Sequence, residues 1–375
     1  MSYTREQILE TLGKVRYPEK NNDIVSLNMV SDLLVEGKKI SFTLIFPNAN
    51  SPFEKSLVKA CEATIKALAG SDAEINIKTA GKVAVAPMGG EPEKPLKTVK
   101  NIIAVASGKG GVGKSTVSVN LAVALAKTGA KVAILDADIY GPSIPKMFKA
   151  EDMRPGIEKI NGKDTIIPVE NYGVKMLSIG FFVNPDDALI WRGSMATNAL
   201  KQLINDAQWG DLDFMILDLP PGTGDIHLTM VQTIPVTGAI IVSTPQDVAI
   251  ADAIKGISMF KNETINVPLL GFVENMAWFT PEELPDNKYY LFGKEGVKNL
   301  AEERNIKLLG QIPIVQSIRE GGDNGEPAAL DENSVTGKAF KDLATNVVEA
   351  LEIRNSTMGE TKKVEIDPNA GCSTH

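Results

Sequence analysis

The chain has 375 residues, enough for two domains, and 43% of them are hydrophobic, which supports substantial cores. A formal charge of −8 and an isoelectric point near 5.1 argue against general nucleic-acid binding, which asks for a basic surface. Cys61 and Cys372 are too few for a disulfide framework, and no apolar run reaches the ~18 residues of a membrane span or forms a leader behind Met1, so a cytoplasmic protein without a membrane partner is expected.

In chain order, residues 5–12 read as a helix, 24–35 as an extended stretch, 39–46 as a strand, 54–68 as a helix and 73–78 as a strand. These suggest a compact α+β domain over residues 1–80. Cys61 falls at helical spacing with Leu57, Ile65 and Leu68 and reads as a buried core thiol. Residues 81–100 are rich in Gly and Pro without a sustained period, which marks a flexible linker.

An apolar run at 101–106 enters Gly108-Lys109-Gly110-Gly111-Val112-Gly113-Lys114-Ser115-Thr116, and helical spacing of Val117, Leu121, Ala124 and Leu125 follows. A strand running into a Gly-rich turn that opens a helix is the context in which G-x-x-x-x-G-K-[ST] binds a nucleoside triphosphate. Glycines let the loop turn its N–H groups toward an anion, and the helix N-terminus adds about half a positive charge. Lys114 would reach the β- and γ-phosphates and Ser115 would hold Mg²⁺. Lys109 is an extra charge inside the loop, either neutralising its own loop's phosphate or serving a further purpose.

A strand at 131–135 ends in Asp136 and Asp138, past the carboxyl end of a strand, where open α/β sheets bind ligands. Asp138 is expected to orient the attacking water, with Asp136 near the magnesium shell; either also suits a turn. The apolar run 214–218 closes on Asp218, expected to act on Mg²⁺ through water, and the Pro/Gly segment 219–225 reads as a loop that senses the γ-phosphate. With only His227 and His375, histidine-based catalysis has little to draw on. Strands at 238–243, 267–274 and 307–313 alternate with helices near 193–207, 247–261, 294–304 and 335–352. The fold class is therefore α/β, a doubly wound, mainly parallel sheet over residues 101–354, and 355–375 reads as a flexible C-terminal tail. Asn275, at the end of one strand, can read a base edge with its amide.

The K-G-G-x-G-K-[ST] form resembles the deviant Walker A P-loop NTPases, which include partitioning ATPases, nitrogenase iron protein and the Mrp/ApbC iron–sulfur carriers. Asp136-Ala137-Asp138-Ile139-Tyr140-Gly141-Pro142-Ser143, Trp191-Arg192-Gly193 and the small N-terminal domain, which resembles the SufT type, extend the likeness to Mrp/ApbC proteins over about residues 5–350. The resemblance implies ATP binding and hydrolysis, a homodimer in which Lys109 reaches the partner's nucleotide, adenine contacts at Asn275 and Pro313, and transfer of a [4Fe–4S] cluster to apo-protein clients. Two positions depart from the family pattern: residues 277–285 lack the C-x-x-C that follows the Asn-Met pair, and Ser51-Pro52 replaces a Cys-Pro. Trp278 and Phe279 read as core or as a dimer patch, and 280–288 as a surface loop or a docking site. Cys372 and His375 of two subunits would make a Cys₂His₂ site for a metal or cluster, or Cys372 is an incidental thiol. A metal-free nucleotide-switched scaffold of the partitioning type stays open as the alternative function, with an amidotransferase-like synthetase behind it.

Overall fold

The computed structural model describes residues 3–17, 22–27, 29–36, 39–46, 54–70, 73–81, 96–139, 141–182, 193–263, 265–281, 283–284, 287–359 and 361. Most of the expected linker, Ser51-Pro52, Tyr140, Trp191-Arg192, Cys372 and His375 lie outside these residues. The chain forms two compact units, Met1–Pro92 and Glu93–His375.

The first unit runs α1 (Arg5–Leu12), β1 (Val30–Glu36), β2 (Lys39–Phe46), α2 (Glu54–Ala69) and β3 (Glu74–Gly81). β1 and β2 are antiparallel, and β2 and β3 are parallel. Helix α1 starts at a capping box, with Thr4 Oγ1 accepting from the Gln7 N–H and Gln7 Oε1 accepting from the Thr4 N–H. Ile8, Leu12, Phe42, Leu44, Leu57 and Ile65 make its core, and Cys61 is fully buried among them. The extended stretch expected over 24–35 is corrected at its start. Asp23 Oδ1 accepts from the N–H groups of Val25 and Ser26 at 3.0 and 2.8 Å, an Asx-type turn that delays the strand to Val30.

The second unit runs β4 (Val99–Ala106), α3 (Lys114–Lys127), β5 (Val132–Asp136), α4 (Ile144–Met147), β6 (Gly156–Ile160), β7 (Lys163–Ile167), β8 (Val169–Asn171), β9 (Val174–Ser178) and α5 (Gly193–Asn205). It continues through β10 (Leu212–Asp218), α6 (Asp225–Thr233), β11 (Gly238–Ser243), α7 (Asp247–Lys261), β12 (Leu269–Phe279), α8 (Gly296–Glu303), β13 (Leu308–Ile314), α9 (Gln316–Asn324) and α10 (Val335–Thr357). Eight strands form one sheet in the order β13-β12-β11-β4-β10-β5-β9-β8, parallel except for β8 against β9. Its strands read as unbroken apolar runs because both faces are covered. Along β4, Ile102, Ala104 and Ala106 pack under α5, α6, α7 and α8, while Ile103 and Val105 pack under α3 and α10. Each such buried Val, Ile or Leu contributes about 1.5–3 kcal/mol.

Three expectations change. The segment between α4 and α5 holds β6 to β9, with β6 and β7 forming a separate antiparallel pair. The strand expected over 267–274 spans Leu269–Phe279 as β12, and Phe279 pairs with Ile314 and Tyr289, so Trp278 and Phe279 lie at a strand end. α10 continues to Thr357, so residues 355–357 are helical and not tail. Among the described residues no helix is long and apolar enough to cross a membrane.

Candidate functional site

The functional residues gather at the carboxyl ends of β4, β5 and β10, the central strands, where the chain reverses its order across the sheet. Residues 107–113 leave β4 and deliver the chain to α3 at Lys114. Gly111 and Gly113 take φ of +78° and +79°, the left-handed region that disfavours side chains. Gly113 is also needed for space, since a Cβ there would run into Asn275 Nδ2. At Gly108 a Cβ would meet the backbone of Asp252 in α7, whereas at Gly110 and Gly111 it would meet nothing among the described residues. One side of the loop is thus packed and the other open.

The open side borders a cleft of about 220 Å³ lined by Ser107, residues 109–116, Asp138, Ser143, Met147 and Pro221. The α3 N-terminus points its positive end there. Lys109 is exposed, and among the described residues its ammonium makes no hydrogen bond or ion pair. Lys114 is 6% exposed and meets Asp218, 0% exposed, with Nζ 2.7 Å from Oδ2. Ser115 Oγ donates to the same Oδ2 at 2.6 Å, and Lys114 Nζ donates to Ser115 Oγ at 3.1 Å. Ser118 Oγ donates to Oδ1 at 2.6 Å. Both Asp218 oxygens are therefore held from α3, and register sets the pairing, because β10 lies between β4 and β5.

Asp136 is the register neighbour of Asp218 on β5. Its Oδ2 accepts from Ser178 Oγ at 2.8 Å and from the Ile144 N–H at 3.4 Å, and its Oδ1 accepts from the Asp138 N–H at 3.1 Å. Burial first, then the negative charge of Asp218, pushes the Asp136 carboxyl up to about 7. It holds the Asp138 and Ile144 N–H groups and does not line the cleft. Asp138 does line it, half-buried, with Oδ1 accepting from the Gly141 N–H at 3.3 Å.

Past Asp218, the Leu219 N–H donates to the Val105 carbonyl at 3.0 Å and the Gly222 N–H to the Ser107 carbonyl at 2.9 Å, tying this loop to the start of the first one. Asn275 Nδ2 donates to the Val112 carbonyl at 2.8 Å, so one amide hydrogen is spent bracing the loop from behind. Met276 beside it takes φ +56°. Neither Asn275 nor Pro313, on the edge strand β13, lines the cleft. Glu274 is buried and accepts from Gln311 Nε2 at 2.7 Å and, weakly, from the Val297 N–H at 3.4 Å.

Sequence reasoning missed Ser118 and Ser178. Ser118 is three residues after Ser115, hence on the same helix face, and that spacing was its one available signal. Ser178 ends an unexpected strand, β9, and carries no motif. Among the described residues no cluster of three or more His, Cys, Asp or Glu has metal-binding geometry. Cys61 is buried, and burial pushes its thiol up to about 12, far from a ligating thiolate.

Residues 98–348 match the family described as NUBPL iron-transfer P-loop NTPase, and residues 5–77 match one described as iron-sulfur cluster assembly protein. The chain is 42% identical over 346 residues to the iron-sulfur cluster carrier protein of Synechocystis sp., covering 92% of this chain and 97% of that one. It is 42% identical over 355 residues to the iron-sulfur cluster carrier protein of Escherichia coli, covering 92% of each. Among solved structures, the nucleotide-binding protein of Archaeoglobus fulgidus in complex with ADP superposes with a TM-score of 0.56 at 36% identity, covering 66% of this chain and 94% of that one.

Proposed function

Because the chain belongs to the NUBPL iron-transfer P-loop NTPases, we propose that it is an iron–sulfur cluster carrier that binds and hydrolyses ATP with Mg²⁺ and passes clusters to apo-protein clients. The observation that carries the nucleotide chemistry is the convergence of Lys114, Ser115 and Asp218 within 2.6–3.1 Å where the Gly-rich loop meets the N-terminus of α3. The relatives named as cluster carriers, which cover nearly the whole chain, carry the cargo assignment. The donor set suits Mg²⁺, a hard cation that takes hydroxyl and carboxylate oxygens. Ser115 would bind it directly and Asp218 through water, and the ion supplies charge neutralisation at the β- and γ-phosphate oxygens.

The work of this chain is positioning. N–H groups of residues 110–116 hold the β-phosphate on the helix axis. Lys114 turns from Asp218 to the β- and γ-oxygens, an exchange made easy because Ser115 and Ser118 still hold the carboxylate. Asp138, steadied by its bond from Gly141 and by Asp136, orients the attacking water and accepts its proton. Since one Asn275 Nδ2 hydrogen is held by the Val112 carbonyl, an adenine contact from this residue draws on its other amide hydrogen or on Oδ1, with Pro313 on the neighbouring strand. Lys109, exposed and unpaired among the described residues, reaches the nucleotide of a second subunit in a homodimer.

The test is Mg²⁺-dependent ATP turnover by the wild type and Lys114→Ala. Turnover that disappears in the variant supports the reading, and equal turnover overturns it.

A metal-free nucleotide-switched scaffold is the second reading. It is favoured by one observation: residues 277–285 carry no C-x-x-C, and Cys61 is buried with its thiol pushed up to about 12. Under the first reading the cluster ligands include Cys372, supplied once by each subunit, with His375 beside it.

A further inference from the structure

His227 lies in the first turn of α6, where its main-chain N–H donates to the Gly224 carbonyl at 3.0 Å. Its side chain is 1% exposed, and neither Nδ1 nor Nε2 has a hydrogen-bond partner among the described residues. Burial lowers its pKa, which leaves a neutral ring with one N–H donor and one acceptor nitrogen. The carbonyls of Gly224 and Pro220 act the other way: they stand near enough to favour a protonated ring, yet neither meets hydrogen-bond geometry. The positive charge of Lys114 also disfavours a second one on this ring.

A buried donor left without a partner is destabilising, and an apolar ring of the same shape would avoid the loss. Structure alone does not repay that cost. Both nearby carbonyls belong to the loop over 219–224, the segment that runs from Asp218 past the cleft. Pro221 of this loop lines the cleft, Gly222 takes φ +91°, and the loop is tied to the phosphate-binding loop through the Gly222 N–H and the Ser107 carbonyl. A small shift of the loop would bring one of its carbonyls onto the waiting N–H.

We propose that His227 is a positioning residue for the 219–224 loop: its ring N–H bonds the Gly224 or Pro220 carbonyl in the loop conformation that meets the terminal phosphate, and releases it otherwise. The inference rests on the nucleotide-hydrolysing reading of the cleft. The ring does not touch the reacting atoms; it sets the free-energy difference between two loop positions, so its removal lowers the rate of the step after binding more than it weakens binding.

The experiment compares ATP turnover, KM and thermal unfolding of the full-length wild type, His227→Phe and His227→Gln. Phe fills the space without a donor, and Gln restores one. Expected is a kcat lower by about 10–100-fold in His227→Phe with KM little changed, and recovery of most of the rate in His227→Gln. A structural role would instead move the unfolding midpoint and spare the kcat/KM split. In the wild type, the ring ¹⁵N resonance of His227 should move on adding a non-hydrolysable ATP analogue with Mg²⁺, and a resonance that does not move contradicts the inference even if a variant fails to fold. A His227→Phe protein with wild-type kcat, or Phe and Gln variants equally impaired, overturns it. A wild type that turns over no ATP overturns the nucleotide reading as well, which separates the two failures.

Discussion

Asp218 has both carboxylate oxygens occupied by donors from one helix, and this decides what its loss would do. Asp218→Asn leaves Lys114, 6% exposed, facing a neutral amide, and breaking a buried pair in this way costs about 3–5 kcal/mol. A lower unfolding midpoint together with loss of Mg²⁺-dependent turnover is expected; unchanged stability would mean that the ion pair is not formed in solution. Ser115 and Ser118 share the carboxylate, yet only Ser115 was legible in sequence, because the motif demands a hydroxyl after the lysine and nothing demands one three residues later. Cys61 makes the opposite case: helical spacing alone placed it in the core, where burial raises its thiol to about 12. In Cys372→Ser, the remaining thiol should resist iodoacetamide at neutral pH in the folded protein and react in urea. Reaction at the same rate in both states would contradict that burial.

The Gly-rich loop works as a unit with the elements behind it. Gly113 takes φ +79° with Asn275 Nδ2 where a Cβ would go, so Gly113→Ala strains the backbone and pushes away the amide that braces Val112. ATP affinity should fall below detection while the first unit unfolds as before, and wild-type affinity would show that the loop tolerates the shift. Glu274 joins β12 to β13 through Gln311 and to α8 through Val297, and burial raises its carboxyl above the ordinary 4.5. A folded-state pKa above the unfolded one means that the native state binds the extra proton. Wild type should therefore lose stability relative to Glu274→Gln as pH rises from 4.5 through the folded value, and be unaffected below it. A stability difference that is flat with pH would contradict the shift. The parallel strands were legible because they are apolar on both faces. The β6–β7 pair was not, because it is short and mostly exposed, and α9 was not, because two glycines and the lack of any buried residue erase its helical stripe. The extension of β12 beyond Glu274 was not legible, because its last residues pair through a bulged register that only tertiary contacts specify.

All cleft residues come from the second unit, so residues 93–375 alone should hydrolyse ATP as the full chain does. Loss of turnover in that fragment would give the first unit a part in the chemistry. A homodimer in which Lys109 reaches the partner's nucleotide predicts that Lys109→Ala lowers turnover only at concentrations where wild type dimerises, and an equal effect at every concentration would return Lys109 to its own loop. The cargo assignment is the central claim; relatives named as cluster carriers support it, while of the chain's two cysteines one is sealed in a core. The most direct test is anaerobic reconstitution with iron and sulfide, measuring both per dimer alongside ATP turnover, in wild type and Cys372→Ser. Wild type is expected to take up iron and sulfide in equal amounts and the variant to lose them while still hydrolysing ATP; a wild type that turns over ATP yet takes up neither would contradict the carrier account and leave a nucleotide-switched scaffold.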